Sequence, residues 1–154
     1  MEYLIRAARI TDIDRVVALS DGQVRTGGGQ SPLGSADLLR QLVYLPQASI
    51  FVAEARREVV GGGVLALRPS VRAGGYVGTV DLLVVDPEHD VDRITAALLE
   101  ELLRSAHNKG CAAVEAERPT DPVEWARWER EGFVEAGPMI SRSVAAVRAA
   151  AGRG

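Results

Sequence analysis

Apolar residues recur at helical spacing in four segments of the chain, and this pattern predicts four helices. The clearest of them starts near Asp90, carries a broad leucine-rich stripe and ends at Gly110, a residue suited to the position after a helix. Thr11 is predicted to cap the first helix and Asp121 the last, because short polar side chains accept hydrogen bonds from the unpaired N–H groups there. The second helix follows a predicted glycine-rich loop, residues 26–35.

Seven further segments are rich in β-branched and aromatic residues over the short lengths typical of strands. Three consecutive glycines, 61–63, stand inside one of these segments and predict a bulge or the close approach of a neighbouring backbone. The predicted strands are residues 3–8, 49–55, 58–69, 76–87, 111–117, 133–137 and 139–144.

The order of these elements, β-α-α-β-β-β-α-β-α-β-β, indicates the fold class. Three consecutive hairpin strands followed by a β-α-β unit require a sheet with both antiparallel and parallel neighbours. We therefore expect an α/β fold of the α+β type, in which a mixed, mostly antiparallel central sheet of about seven strands is flanked by four helices. No linker-like composition divides the chain, so we expect a single domain over residues 1–144 and a C-terminal tail over residues 145–154.

Composition narrows the class of protein further. A chain of 154 residues with 47% hydrophobic and 25% charged residues is typical of one soluble globular domain. A net charge of −3 argues against a nucleic-acid partner, which needs a basic face. One cysteine and two histidines exclude an internal disulfide and argue against a metal site. We expect no membrane partner and a cytoplasmic location, because the chain lacks a long apolar run and the apolar core of a signal peptide.

Two stretches carry a resemblance to a known family. "LLVVDPEH" (82–89) closes a strand and leads into the leucine-rich helix, and "WARWEREGF" (125–133) places a tryptophan five residues before its final phenylalanine. Together with the element order over roughly residues 3–144, these stretches resemble the GNAT superfamily of acyl-CoA-dependent N-acyltransferases. The resemblance implies a GNAT-like fold and the transfer of an acetyl group from acetyl-CoA to a primary amine of a small molecule or peptide.

The resemblance also implies where acetyl-CoA binds. In the family the strand before the long helix parts from its neighbour, and the opening admits the pantetheine arm of the cofactor. The family's diphosphate loop reads Arg or Gln, two residues, Gly, one residue, then Gly or Ala. In this chain the three signature positions hold Asp90, Arg93 and Thr95. The residues expected to contact the cofactor are Leu83, Val85, Arg93, Ile94 and Thr95.

The acidic residues at the start of this helix support a second interpretation. Asp90 and Asp92 complement the helix dipole and satisfy unpaired N–H groups, so the helix is capped by its own sequence where a phosphate would bind. Arg93 could restore phosphate binding by turning its guanidinium back toward the anion. The alternative to an acetyltransferase is therefore a degenerate, non-catalytic GNAT-fold binding or regulatory module with impaired CoA binding.

Acetylation of an amine needs a base that takes the proton of the ammonium group. Asp81 is the candidate, since regular alternation places it mid-strand on the same face as Leu83 and Val85. A solvent-facing or hydrogen-bonded strand carboxylate explains Asp81 equally well. Glu115 and Glu117, at the end of the next strand, are the alternative bases.

Trp128 stands where members of the family often have a tyrosine that acts as an acid. Its indole N–H is no usable acid, so Trp125 and Trp128 are interpreted as core residues one helical turn apart. Asp121 is interpreted as a structural cap, although the family often has a cofactor-contacting asparagine there. Acceptor specificity is expected in residues 20–47 and 68–76. The resemblance and an exposed final hairpin edge also predict a homodimer.

Overall fold

A computed structural model describes residues 1–20 and 32–137, in which the chain forms five strands, four α-helices and one 3₁₀ turn. Most of the predicted loop 26–35, the predicted strand 139–144 and the predicted tail 145–154 lie outside the described residues. The strands are β1 (Leu4–Ala7), β2 (Ala48–Ala55), β3 (Glu58–Ser70), β4 (Gly75–Val85) and β5 (Cys111–Ala116), and the helices are α1 (Ile13–Leu19), α2 (Pro32–Leu42), α3 (Val91–Asn108) and α4 (Pro122–Arg130).

The five strands form one sheet in the order β1-β2-β3-β4-β5. Neighbouring strands are antiparallel except for β4 and β5, which are parallel and connected through α3. These observations confirm the predicted mixed, mostly antiparallel sheet with four flanking helices. Among the described residues the sheet has five strands rather than about seven.

The prediction of a strand at residues 133–137 is wrong. This segment follows α4 and pairs with no strand of the described residues; Gly132 before it and Gly137 at its end have φ angles of +91° and +73°. Left-handed backbone at both ends bends the chain away from an extended path within a few residues. The Phe133 ring packs edge-on against Trp128, with the ring centroids 5.0 Å apart. The segment therefore closes α4 onto the core instead of extending the sheet.

The start of the first helix also differs from the prediction. Thr11 lies inside the 3₁₀ turn, and α1 begins after that turn at Ile13. Asp12 takes the position before α1, and its carboxylate accepts hydrogen bonds from both terminal nitrogens of Arg6, at 2.7 and 3.0 Å. Because Arg6 also donates to Glu54 of β2 at 2.7 Å, the ion pairs fix the point where β1 leads into the helix. This tertiary network, and not Thr11, sets where α1 begins.

The predicted bulge lies next to the glycines at 61–63, since Val60 is an extra residue in the pairing of β3 with β2. The glycines also let helix side chains approach each face of the sheet. A Cβ at Gly61 would lie 2.9 Å from Ile94 Cγ2 of α3, and a Cβ at Gly62 would lie 3.1 Å from Val16 Cγ2 of α1. Larger side chains would push the helices off the strands. The glycines therefore determine how closely the start of α3 sits against the end of β4.

Candidate active site

β4 and β5 run side by side for only part of their length. Their parallel pairing extends from Tyr76 opposite Cys111 to Val80 opposite Ala116, the last residue of β5. β4 continues past that point, and its residues 82–85 are paired with β3. Within the described part of the chain no strand lies on their other side, so the sheet opens after Val80. This is the parting of strands that the GNAT resemblance implies.

A β-bulge marks the point where the sheet opens. The register of β3 and β4 shifts there, and Asp81 is the extra residue between Val80 and Leu82. Such a bulge shifts the alternation of side chains, so that Val80 and Leu83 both pack into the cluster beneath α3. The regular alternation that would place Asp81 on the same face as Leu83 and Val85 is therefore interrupted. Asp81 itself is exposed.

The end of β4 directs backbone groups into this opening. The N–H of Asp86 donates to the Val60 carbonyl at 2.8 Å, which makes these two residues a hydrogen-bonded pair of the β3–β4 ladder. In an antiparallel ladder such residues alternate with residues whose N–H and C=O groups point away from the partner strand. Val84 therefore bonds to β3, while the N–H and C=O groups of Leu83 and Val85 point into the opening. An extended ligand can pair with them there as a further strand would.

The first turn of α3 is capped by its own sequence. Asp90 is the N-cap residue, and its Oδ1 accepts a hydrogen bond from the Arg93 N–H at 3.2 Å. The Asp90 N–H donates to the hydroxyl oxygen of Tyr3 at 3.1 Å. Two backbone donors at the start of the helix are therefore bonded within the protein, at positions to which the resemblance assigns the diphosphate.

Arg93 is turned toward the N-terminal segment. Its Nη1 donates to the Met1 carbonyl at 2.7 Å, and its guanidinium lies 5.5 Å from the centroid of the Tyr3 ring. Both contacts are favourable for a guanidinium, one as a hydrogen bond and one as a cation–π interaction. In this structure Arg93 therefore contributes to the attachment of the N-terminus to α3 rather than to a phosphate site.

Ile94 and Thr95 are buried, with 0% and 1% of their surfaces exposed. Ile94 packs in the cluster formed by α3 and the β2–β3 hairpin. Thr95 Oγ1 is buried without a hydrogen-bond partner among the described residues. Side chains buried to this degree do not reach a ligand at the helix surface, so a contact between these residues and a cofactor would involve their backbone groups.

Two arginines of α4 reach the first turn of α3. Arg127 Nε donates to Asp92 Oδ1 at 2.5 Å, and Arg130 Nη1 lies 3.9 Å from the same oxygen. The hydrogen bond from Arg127 holds the pKa of the Asp92 carboxyl below its ordinary value, and Asp92 in turn raises the pKa of Arg127. The Arg127 side chain is 18% exposed, whereas that of Asp92 is 62% exposed. A partly buried arginine side chain thus holds a solvent-exposed carboxylate at the start of α3.

Glu124 orients the Arg127 guanidinium. Its carboxylate accepts hydrogen bonds from Arg127 Nη1 at 2.6 Å and from Trp128 Nε1 at 3.1 Å. Trp128 is buried in the cluster beneath α3, which confirms its interpretation as a core residue, whereas Trp125 is partly buried at the edge of that cluster. The Asp121 side chain caps α4 through a backbone N–H of the first turn, as predicted.

The contact between Arg127 and Asp92 is not predicted by the sequence. The helical spacing of Glu124 and Arg127 is visible in the chain and indicates an ion pair within α4. The partner on α3 is 35 residues away, and only the packing of the two helices brings it within reach. The sequence does not predict the bulge at Asp81 for a similar reason, because the extra residue is defined only by the pairing register of β4 with β3.

Three carboxylates flank the point where the strands part. Asp81 follows Val80 on β4, and Glu117 follows the β5 residue that pairs with Val80. Glu115 lies one pair earlier, and its Oε2 is 3.7 Å from Arg68 Nη2. All three carboxylates are exposed. The fold therefore places the three candidate bases at the bulge end of the opening.

The described residues outside this site offer no competing metal or membrane site. Residues 1–20 and 32–137 contain no group of three or more His, Cys, Asp or Glu side chains placed to hold a metal ion. Over the same residues no helix combines the length and apolar character needed to cross a membrane. A cavity of about 570 Å³ lies beside Tyr3, between the N-terminal residues and the β2–β3 hairpin with Arg56 and Arg57, and not in the β4–β5 opening.

The sequence matches the model of the acetyltransferase (GNAT) family over residues 2–133. No curated protein matches the chain in sequence. Among solved structures, an integron cassette protein from the mobile metagenome of Cole Harbour Salt Marsh is similar, with 26% identity and a TM-score of 0.75 over 91% of this chain and 89% of that chain.

Two named acetyltransferases are also structurally similar. Glucosamine-6-phosphate N-acetyltransferase from Arabidopsis thaliana is 19% identical, with a TM-score of 0.72 over 94% of this chain and 99% of that chain. Ribosomal-protein-alanine N-acetyltransferase from Brucella melitensis biovar Abortus 2308 is 19% identical, with a TM-score of 0.67 over 93% of this chain and 98% of that chain. At these identities the similarity establishes the fold and does not assign a substrate.

Proposed function

Because this chain belongs to the acetyltransferase (GNAT) family, we propose that it transfers an acetyl group from acetyl-CoA to a primary amine of a small molecule or peptide. The observation that supports the proposal most directly is the opening of the sheet after Val80. There the backbone groups of Leu83 and Val85 point away from β3, so they can pair with the amide groups of a pantetheine arm.

The fit to acetyl-CoA differs between its two ends. At the acyl end, the opening offers an extended strand edge that matches the amide groups of pantetheine. At the diphosphate end, the Arg93 N–H is bonded to Asp90, and Asp92 adds a negative charge. The protein is therefore well suited to the thioester arm, and the phosphates need a cation from elsewhere in the fold.

The proposed reaction begins with the removal of a proton from the ammonium group of the acceptor. We assign this step to Asp81, directly or through water, because the bulge places it at the bend of the opened strand. The amine nitrogen then attacks the thioester carbonyl carbon, the bond to nitrogen forms, the bond to sulfur breaks, and the nitrogen gives a second proton to solvent. Solvent protonates the departing thiolate, since the N–H of Trp128 is bonded to Glu124 and is no usable acid.

Direct attack by the amine needs no covalent intermediate on the protein. Burial raises the pKa of the Cys111 thiol, which keeps this cysteine in its unreactive protonated form. Cys111 lies at the start of β5, at the opposite end of the strand pairing from the bulge. An acyl-cysteine route is therefore not proposed.

A second candidate function is a non-catalytic binding or regulatory module of the same fold. The observation that favours it is the self-capping of α3 by Asp90, which occupies a backbone donor that a diphosphate would use. Calorimetric titration with acetyl-CoA separates the two candidates, because a ligand that binds the folded state also raises the melting temperature. Absence of both heat and a melting shift at millimolar acetyl-CoA would contradict the enzyme proposal and leave the module.

The role of Asp81 is tested by kinetics on an amine panel, with release of the CoA thiol as the readout. Asp81→Asn should lower kcat by roughly 100-fold, the lower range for loss of a general base, and leave the affinity for acetyl-CoA unchanged. Glu100→Gln on α3 is the control, because it removes an exposed carboxylate of equal charge. An unchanged kcat in Asp81→Asn would exclude this base and transfer the role to Glu115 or Glu117.

The remaining expectations are part of the same proposal. Acceptor recognition is assigned to residues 20–47 and 68–76, and the protein is proposed to act in the cytoplasm as a homodimer without a nucleic-acid or membrane partner. Light scattering on the purified chain measures the oligomeric state, and a monomer at micromolar concentration would contradict the homodimer.

A further inference from the structure

Arg127 is positioned before any ligand binds. Its Nη1 is held by Glu124 at 2.6 Å, and Glu124 is itself fixed by the buried Trp128. Only 18% of the Arg127 side chain is exposed, so much of its conformational freedom is already lost before an anion binds. A guanidinium prepared in this way presents its remaining N–H donors to an anion at the start of α3.

The anion now in that place is the Asp92 carboxylate. Its Oδ1 accepts from Arg127 Nε at 2.5 Å, and Arg130 Nη1 approaches the same oxygen at 3.9 Å. The Asp92 side chain is 62% exposed, so it can rotate into water and leave both arginines to another anion. Two cations of α4 therefore converge on one exchangeable carboxylate.

Arg93, a further basic residue at this end of α3, already has other partners. Arg93 donates to the Met1 carbonyl and lies over the Tyr3 ring, and its backbone N–H is bonded to Asp90. The opened strand ends at Val85, only a short loop before the helix begins at Val91. A pantetheine arm paired with the strand edge would bring its diphosphate to this helix start, where Arg127 is the cation held by a replaceable partner.

We propose that Arg127 is the phosphate-binding residue of this protein and that Asp92 is its built-in competitor, which the diphosphate of acyl-CoA displaces. The inference rests on the proposed function, since it assumes that the cofactor's thioester arm lies along β4. In this proposal an arginine of α4 supplies the positive charge that the diphosphate loop lacks, since Asp90 stands where the family has Arg or Gln. Bidentate pairing with a diphosphate gives the guanidinium more charge and more acceptor oxygens than Asp92 supplies.

The test is calorimetric titration of the purified chain with coenzyme A and, separately, with pantetheine, which has the same thiol arm and no phosphate. All titrations are made at one ionic strength, because exposed charges are screened by salt. The variants are Asp92→Asn, Arg127→Gln and the double variant. Glu100→Gln is the matched control, since it removes one negative charge from an exposed arginine pair on the same helix.

For coenzyme A, we expect Asp92→Asn to tighten binding by roughly threefold or more and Arg127→Gln to weaken it by roughly tenfold or more. In the double variant the gain from Asp92→Asn should shrink to the part that comes from removing its charge and freeing Arg130, because the competition for Arg127 no longer exists. Glu100→Gln should leave the affinity for coenzyme A unchanged, and all variants should bind pantetheine as the wild type does.

The outcomes separate the inference from the proposed function. Unchanged coenzyme A affinity in Arg127→Gln, or weaker binding in Asp92→Asn, would overturn the inference and leave the proposed function standing. An equal loss of affinity for coenzyme A and for pantetheine in Arg127→Gln would indicate a general structural effect and would also overturn the inference. If neither compound binds the wild type or Asp92→Asn, both proposals fail. Should Arg127→Gln not fold by circular dichroism, the comparison of Asp92→Asn with Glu100→Gln decides.

Discussion

The glycines beneath α3 allow a quantitative test of how closely this fold is packed. In Gly61→Ala the new Cβ would lie 2.9 Å from Ile94 Cγ2, 3.2 Å from the Val84 carbonyl oxygen and 3.3 Å from Leu98 Cδ1. The backbone oxygen cannot move without disturbing the β3–β4 ladder beside the opening. Overpacking of this kind costs about 1–3 kcal/mol, so α3 or the strand must shift.

The matched control is Gly75→Ala at the start of β4. A Cβ there meets nothing within 4 Å, and Gly75 has no positive φ that would disfavour alanine. Replacement of glycine by alanine restricts the unfolded chain and stabilises by about 0.4–1 kcal/mol where the site accepts it. The same contribution acts in Gly61→Ala, so its net destabilisation should be about 1–2 kcal/mol after that offset.

Thermal and denaturant unfolding measure the difference between the two variants. A gap of about 2 kcal/mol corresponds to roughly 4–8 °C in melting temperature for a chain of this length. Gly61→Ala should melt below the wild type and Gly75→Ala at or above it. If the two variants melted within about 1 °C of each other, α3 would not be packed against Gly61 as tightly as the distances indicate, and this reasoning would be refuted.

Three further predictions concern stability and the role of α4. Arg57→Gly should stabilise the protein by about 0.5–1 kcal/mol in denaturant unfolding, because Arg57 has a φ of +67° in the β2–β3 turn, and a loss of stability would contradict this. Hydrogen bonding to Arg6 lowers the pKa of Asp12, so its contribution to stability should be complete at neutral pH and decline as the pH falls below about 4. In Asp12→Asn the free energy of unfolding at pH 7 should be about 1.5–3 kcal/mol lower than in the wild type, and it should vary less over that acid range. Unfolding at several pH values would check both. Trp128→Phe should keep kcat within about twofold, since Trp128 is a core residue whose N–H binds Glu124, and a large loss of kcat with unchanged melting would argue for a chemical role.

Local patterns in the sequence were sufficient for much of the fold. The stripe that begins after Asp90 predicted α3, and the caps at Asp90 and Asp121 were both observed. The glycines at 61–63 predicted a close approach, and the structure places helices against both faces of that strand. Each of these features depends on neighbours within a few residues or on a helical or strand repeat, which the chain itself records.

Predictions failed where a local pattern competed with tertiary contacts. Thr11 had the residue type of a cap, but Asp12, paired with Arg6, takes the cap position, so the helix begins one residue later than a Thr11 cap predicts. The segment 133–137 had strand composition, but glycines in left-handed conformation turn it against α4. Both errors arose because composition does not specify which partner a segment meets.

At the candidate site, too, some features follow from the local sequence and others only from tertiary packing. The sequence by itself determined the apolar periodicity, the helix caps and the resemblance of the β4–α3 segment to a CoA-binding family. Only the tertiary structure decided that Asp81 forms a bulge and that Arg127 binds Asp92 across two helices. The physical reason is range: caps and periodicity arise within one or two turns of the chain, whereas register and ion pairing between helices exist only after the strands and helices have packed.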